Sequence, residues 1–138
     1  MHDDCQFCEI VAGDRPAHVL YEDELTLSFL DTNPAVVGHA LVVPRAHEEE
    51  IVTIDGATSA AVFETVRTVA NGLEAVLEPD GFSTFHTSGP LVGTVDHAHV
   101  HVVPRFADDD VALSLPRTEL DDDDASVLTD RVRAHLER

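Results

Sequence analysis

At 138 residues, 43% of them hydrophobic, the chain has material for one compact domain and little for a second. Its apolar runs extend only a few residues, which excludes a membrane span and a signal-peptide core and leads us to expect a soluble, cytoplasmic protein. Twenty-seven acidic side chains stand against eight basic ones, all arginine, for a net charge of -19; clustered cations able to neutralise phosphates are missing, which argues against nucleic acid as a partner.

The spacing predicts a short helix from Cys5 to Val11, stopped by Gly13. Strands follow at Val19 to Tyr21 and Leu25 to Asp31, joined by the acidic turn Glu22-Asp23-Glu24. In the second, Leu25, Leu27, Phe29 and Asp31 share an inward register, alternating with Thr26 and Ser28. Another apolar strand, His39 to Val43, is opened by Gly38 and closed by Pro44. A long helix is expected from Thr58 to Leu77, because Val62, Val66, Val69, Leu73 and Val76 recur along one face; Pro79 ends it. Strands at Phe82 to His86 and His97 to Val103 come next, flanking a loop with Gly89, Pro90 and Gly93. A last helix is expected where Leu128, Val132 and Leu136 are four apart. Residues 1–138 thus read as a single domain, 1–110 forming the core and 111–138 an acidic C-terminal extension with a helix. Early strands this close together favour hairpins, so the fold class is α+β with an antiparallel sheet.

The acidic runs Glu48 to Glu50, Asp108 to Asp110 and Asp121 to Asp124 read as solvated surface. Such lysine-free acidity resembles that of proteins from salt-loving organisms. Molar salt shortens the Debye length to about 3 Å and screens self-repulsion, so stability is expected to rise with salt.

In His97-Ala98-His99-Val100-His101-Val102-Val103, strand alternation sends three imidazoles to one face and Ala98, Val100 and Val102 to the other. A metal-binding row or chance is the plain reading. Alternatively, histidine titrates near neutrality, and such a cluster can supply a neutral nucleophile beside a protonated neighbour. Cys5 and Cys8, two residues apart, suit a metal or redox pair better than a secreted disulfide framework.

The run His97 to Val103, followed by Pro104-Arg105, resembles the signature of the histidine-triad family. The likeness extends to Cys5-Gln6-Phe7-Cys8-Glu9-Ile10, Tyr21-Glu22-Asp23, Phe29-Leu30-Asp31 and Gly38-His39-Ala40-Leu41-Val42-Val43-Pro44, with His47 beyond. It implies a nucleotide-binding α+β fold with a five-stranded antiparallel sheet, a long helix and short terminal helices, the sheet continuing across a homodimer. It further implies a nucleotide hydrolase in which His99 attacks the α-phosphorus of a nucleoside phosphoramidate or dinucleoside polyphosphate to form a nucleotidyl-histidine. His101 would contact the phosphate and assist the leaving group, and His39 would hold the triad face. Phe7, Ile10, Phe29 and Leu30 would line the pocket for a purine base, and Asp31 would accept the ribose hydroxyls. The resemblance also implies structural zinc on Cys5, Cys8, His47 and His97, a closed set of four N and S ligands; a reduced, metal-free pair is the alternative.

Before the triad the chain departs from the family pattern, with His86-Thr87-Ser88-Gly89 and Gly93-Thr94-Val95-Asp96 where phosphate-touching amides are common. Thr87 and Thr94 hydroxyls and the Gly93 backbone N–H are the available phosphate donors, and alternation turns Asp96 away from the substrate. Arg45 and Arg105 are candidates for local positive potential, or simple surface charge. His2, His18, His86 and His135 read as ordinary surface or loop residues. The competing functions are a nucleotidyl transferase, a non-catalytic nucleotide-binding module and a structural zinc protein.

Overall fold

The computed structural model describes residues 5–88 and 96–137, and His2, Gly93 and Thr94 lie outside them. The described residues form helix α1 (Gln6–Ala12), strands β1 (Val19–Glu22), β2 (Thr26–Leu30) and β3 (Ala40–Pro44), helix α2 (Gly56–Leu77), strands β4 (Gly81–Phe85) and β5 (Val100–Arg105), and helix α3 (Asp122–Leu136). The five strands make one sheet in the order β1-β2-β3-β5-β4, antiparallel at every pairing, which is the expected α+β architecture.

Local chemistry sets the boundaries. The Cys5 Sγ caps α1 by accepting the Cys8 N–H, and Gly13 ends the helix in the left-handed region at φ 84°. Asp23 closes the first hairpin, its Oδ1 accepting the N–H groups of Leu25 and Thr26 and the Thr26 hydroxyl. Asp55 caps α2 through the Thr58 N–H, so the helix starts two residues earlier than expected. Gly38 is required for two reasons: its φ is 95°, and an added Cβ would lie 2.6 Å from Leu77 Cδ1 and 3.1 Å from Pro104 Cγ. It is the turn that delivers His39 to the sheet.

The two faces of the sheet are covered differently. Ala40, Val42, Val100 and Val102 pack under α2 with Val62, Val69 and Leu73, whereas Leu27, Phe29, Leu41 and Val43 pack against Phe7, Cys5 and Cys8 from the α1 end. Both registers of β2 are therefore buried, and Thr26 and Ser28 are as fully enclosed as Leu27 and Phe29. Their hydroxyls are satisfied, Thr26 by the Thr65 hydroxyl at 2.7 Å and Ser28 by the Leu41 carbonyl at 2.8 Å. Leu25 departs from the expected register: it sits in the turn and is exposed. On α2 the hydroxyl pair draws Thr65 into the buried face, and Val76 is 79% exposed although its spacing places it on the apolar stripe.

Helix α3 forms where expected, capped by Asp121 with Asp122, Asp123 and Asp124 in its first turn and Arg133 and His135 in its last. Those charges complement the helix dipole. None of its residues is buried, and Leu128 and Leu136 remain exposed, so its stability within the chain is local. No helix among the described residues is long and apolar enough to cross a membrane.

Candidate functional site

The central strands β3 and β5 bring the histidines together, but the ladder between them is short. Pairing stops at Val42 opposite Val100, so His97, Ala98 and His99 precede the strand instead of lying within it. Two long-range bonds explain the early stop: the Pro44 carbonyl is taken by the His97 ring at 2.8 Å, and the Ala98 N–H donates to the Glu48 carbonyl at 2.5 Å. The expected separation of faces persists through this bend. Ala98, Val100 and Val102 face α2, while the Phe7 ring meets His97 and His99 edge-on at 5.8 and 5.1 Å.

Carbonyl partners fix two imidazole tautomers, because a carbonyl can only accept. His99 Nδ1–H donates to the His97 carbonyl at 2.7 Å, which leaves Nε2 of the neutral ring with its lone pair. His97 Nε2–H donates to Pro44, which leaves His97 Nδ1 facing the sulfurs of Cys5 and Cys8 at 3.4 and 3.6 Å. His47 Nδ1 stands 3.3 Å from Cys8 Sγ. Cys5, Cys8, His47 and His97 thus form one cluster able to hold a metal ion. Burial pushes the Cys5 thiol up from its ordinary value, partly offset by backbone N–H groups.

A second chain of contacts runs from the backbone to His101. The Ala35 N–H donates to His39 Nδ1 at 3.0 Å, so the His39 proton is on Nε2, 2.9 Å from His101 Nδ1 and 3.5 Å from Asp31. His101 accepts there, and its own proton is left on Nε2; its ring stacks on Phe85 at 4.5 Å. The Asp31 N–H donates to the His39 carbonyl, which ties the end of β2 beside this pair, and Asp31 Oδ1 accepts the Asn33 N–H. Its carboxylate keeps acceptor capacity for a ligand.

Burial, reinforced by the imidazoles of His99 and His39, pushes His101 down to about 4, and burial also lowers His39 against the opposing pull of Asp31. A group that binds its proton more weakly folded than unfolded contributes stability in full above its unfolded value, and that contribution is lost as pH falls. The His101 resonance is therefore expected to stay at its neutral position in an NMR titration from pH 8 to 5. Protonation of the unfolded chain near 6.5 should remove on the order of 1–2 kcal/mol of stability by pH 5. A His101 midpoint near 6.5 would refute the first expectation.

His99, His101 and Asp31 face a cleft of about 640 Å³ that Phe7, Ile10, Phe29 and Leu30 also line, with His39 behind it. Phe7 and Phe29 are only 6% and 3% exposed and meet edge-on at 5.5 Å, so they are core residues as well as walls. The cleft also contains Gln6, Arg15, Asn33 and Leu41, which pattern reading missed. Arg15 reaches it through a turn that no periodicity signals. Thr87 is exposed just beyond β4, and Asp96 is exposed as well.

Neither Arg45 nor Arg105 lines this cleft. Arg105 is held by Asp109, the Ser83 hydroxyl and the Val111 carbonyl, and Arg45 Nη1 reaches the Asp23 carbonyl. The acidic runs are likewise more than solvated surface. Glu50 accepts the Ile51 and Val52 N–H groups and the Ser88 hydroxyl; Asp109, whose side chain is 5% exposed, accepts those of Phe106 and Val111. The Arg105 guanidinium holds the Asp109 carboxyl well below the usual carboxylate range.

The family model for the HIT domain matches residues 12–108, from the end of α1 past the triad. The chain belongs to the HIT family. Among curated relatives, "Adenylylsulfatase HINT3" of Arabidopsis thaliana is 35% identical over 140 residues, covering 99% of this HIT protein and 71% of the relative. "Adenosine 5'-monophosphoramidase hnt1" of Schizosaccharomyces pombe is 33% identical over 102 residues, covering 73% and 74%. The crystal structure of SMU.412c from Streptococcus mutans UA159 is 34% identical and superposes with a TM-score of 0.90 over 99% of this HIT protein and 87% of that chain. A Zn-bound histidine triad family protein from Mycobacterium smegmatis is 33% identical, with a TM-score of 0.74 over 97% and 96%.

Proposed function

We propose that this HIT protein is a nucleotide hydrolase that works through a nucleotidyl-His99 intermediate on nucleoside phosphoramidates or dinucleoside polyphosphates. The observation that carries the reading is the His99 tautomer: Nδ1–H is committed to the His97 carbonyl, so Nε2 is the lone pair in a cleft walled by Phe7 and Phe29 with Asp31 alongside. Nε2 attacks the α-phosphorus, a P–N bond forms, and the leaving amine or phosphate departs with the bonding pair and takes up a proton. Water then attacks phosphorus, the lone pair returns to Nε2, and the water leaves its own proton behind. His101, neutral and with its Nδ1 engaged by His39, offers Nε2–H to a phosphoryl oxygen, while Asp31 accepts the ribose diol. Thr87, Gly93 and Thr94 complete the phosphate side in this reading. The names of the Arabidopsis and fission-yeast relatives, an adenylylsulfatase and a monophosphoramidase, support cleavage at a nucleotide phosphorus.

Zinc is the ion proposed for Cys5, Cys8, His47 and His97. Tetrahedral Zn²⁺ places its S and N ligands about 3.5 Å apart, and the S···N separations here are 3.3, 3.4 and 3.6 Å. The Zn-bound mycobacterial structure supports that choice. With all four positions filled by protein, the ion would be structural. Homodimerisation with a sheet continuous across two chains, and a cytoplasmic setting, belong to the same proposal.

Incubation with a purine nucleoside 5'-phosphoramidate and with a dinucleoside polyphosphate, read as nucleoside monophosphate released, tests the function. Release from at least one substrate class is expected; no release from either would overturn the hydrolase reading.

A further inference from the structure

The nucleotide cleft has a direction set by α1. Cys5 at the helix start lies against His97, Phe7 against His99, and Ile10 lies one turn further on. Gly13 then reverses the chain, and the N–H groups of Asp14 and Arg15 both donate to the Glu9 carbonyl, which folds Arg15 back to line the cleft. From Phe7 to Ala12 the helix rises about 7.5 Å. A nucleotide with its phosphorus at His99 therefore points its base toward Ile10 and Arg15.

We propose that Arg15 reads the base and that the site prefers guanine to adenine. The inference rests on the nucleotide reading above and adds a specificity to it. Ile10, Phe29 and Leu30 offer apolar surface that any base can use. Among the polar side chains that line the cleft, Arg15 is the one that carries donors alone: a guanidinium presents five donors in a fixed fork and no acceptor. Guanine presents O6 and N7 as two acceptors on one edge, which match the fork, whereas adenine places the N6 amino donor beside N7 and opposes it. A good bidentate pair of this kind separates the right base from the wrong one by roughly five- to 150-fold. The contact that holds Arg15 is a single Nη2 to Glu9 approach of 3.5 Å between half-exposed side chains, weak enough to leave the rest of the fork for a ligand. Glu9 is the positioning residue in this arrangement.

Equilibrium binding of GMP and AMP to the full chain tests the proposal, with Arg15→Leu and Arg15→Lys alongside and melting curves to establish that both variants fold. The wild-type protein should bind GMP about tenfold more tightly than AMP. Arg15→Leu should bring the two within about twofold by weakening GMP alone, whereas Arg15→Lys, which loses the planar fork but keeps donors without an acceptor, should retain a smaller preference for GMP. Equal wild-type affinities, a preference that survives Arg15→Leu, a preference for AMP in Arg15→Lys, or an equal loss for both nucleotides in Arg15→Leu would overturn the base-reading role. Failure to bind either nucleotide would take down the underlying nucleotide reading with it; binding of both without preference would remove the guanine proposal only.

Discussion

His99→Ala is expected to lower turnover of a nucleoside phosphoramidate by on the order of 10⁴-fold or more, the scale at which loss of a covalent nucleophile acts. Alanine removes the Nε2 lone pair, so no P–N bond can form. The cleft survives: Phe7 still packs on Phe29, and Asp31 still sits beside His39. Nucleotide affinity should therefore change by less than about tenfold while kcat collapses, a split that a merely structural role for His99 would not produce. Rapid acid quenching followed by mass spectrometry should reveal a nucleotidyl adduct on the wild-type chain that His99→Ala lacks. Turnover of the variant within tenfold of wild type would mean that another group attacks phosphorus, or that water attacks directly.

Chelation, or Cys8→Ser, is expected to lower Tm by more than about 10 °C. For a domain of this size each 1 kcal/mol is worth roughly 3–5 °C, and loss of a structural metal costs several. The four proposed ligands come from the start of α1, the segment after β3 and the bend before β5, so the ion would join three parts of the chain that approach one another only in the fold. Phe7 lies between two of the ligands in sequence and lines the cleft, so activity should fall with stability. Native mass spectrometry should show one zinc per chain. A metal-free protein with an unchanged Tm after chelation would end the zinc proposal.

The sheet was legible because its strands follow local patterns, whereas the cleft residues and the partners of the two cysteines were legible through the resemblance to the histidine-triad family. Two-residue alternation around His99 and His101 fixes which groups share a face, whatever the sheet does beyond. Features decided by distant partners were not. Spacing alone runs the last strand back to His97, yet the Pro44 carbonyl and the Glu48 carbonyl end the ladder at Val100. The same spacing puts Val76 in the core, but the hydroxyl pair between Thr26 and Thr65 accompanies a different buried stripe. Arg15 was overlooked because its place in the cleft depends on a reversal after Gly13 and two bonds to one carbonyl. Arg45 and Arg105, plausible from their position after strand prolines, are committed to carbonyl and carboxylate partners elsewhere.

The carboxylates that close turns and cap helices divide this chain's negative charge into two populations. Asp23, Glu50, Asp55, Asp109 and Asp121 each accept backbone N–H groups and are part of how the chain turns. Neighbours such as Glu49 and Asp108 have sequence surroundings as acidic and are exposed, but among the described residues they accept none of these turn-closing bonds. What can be edited therefore differs between the sets: a variant adapted to dilute buffer could be recoded freely at the second, whereas the first requires replacements that keep an acceptor oxygen, and alanine there would loosen turns in any solvent.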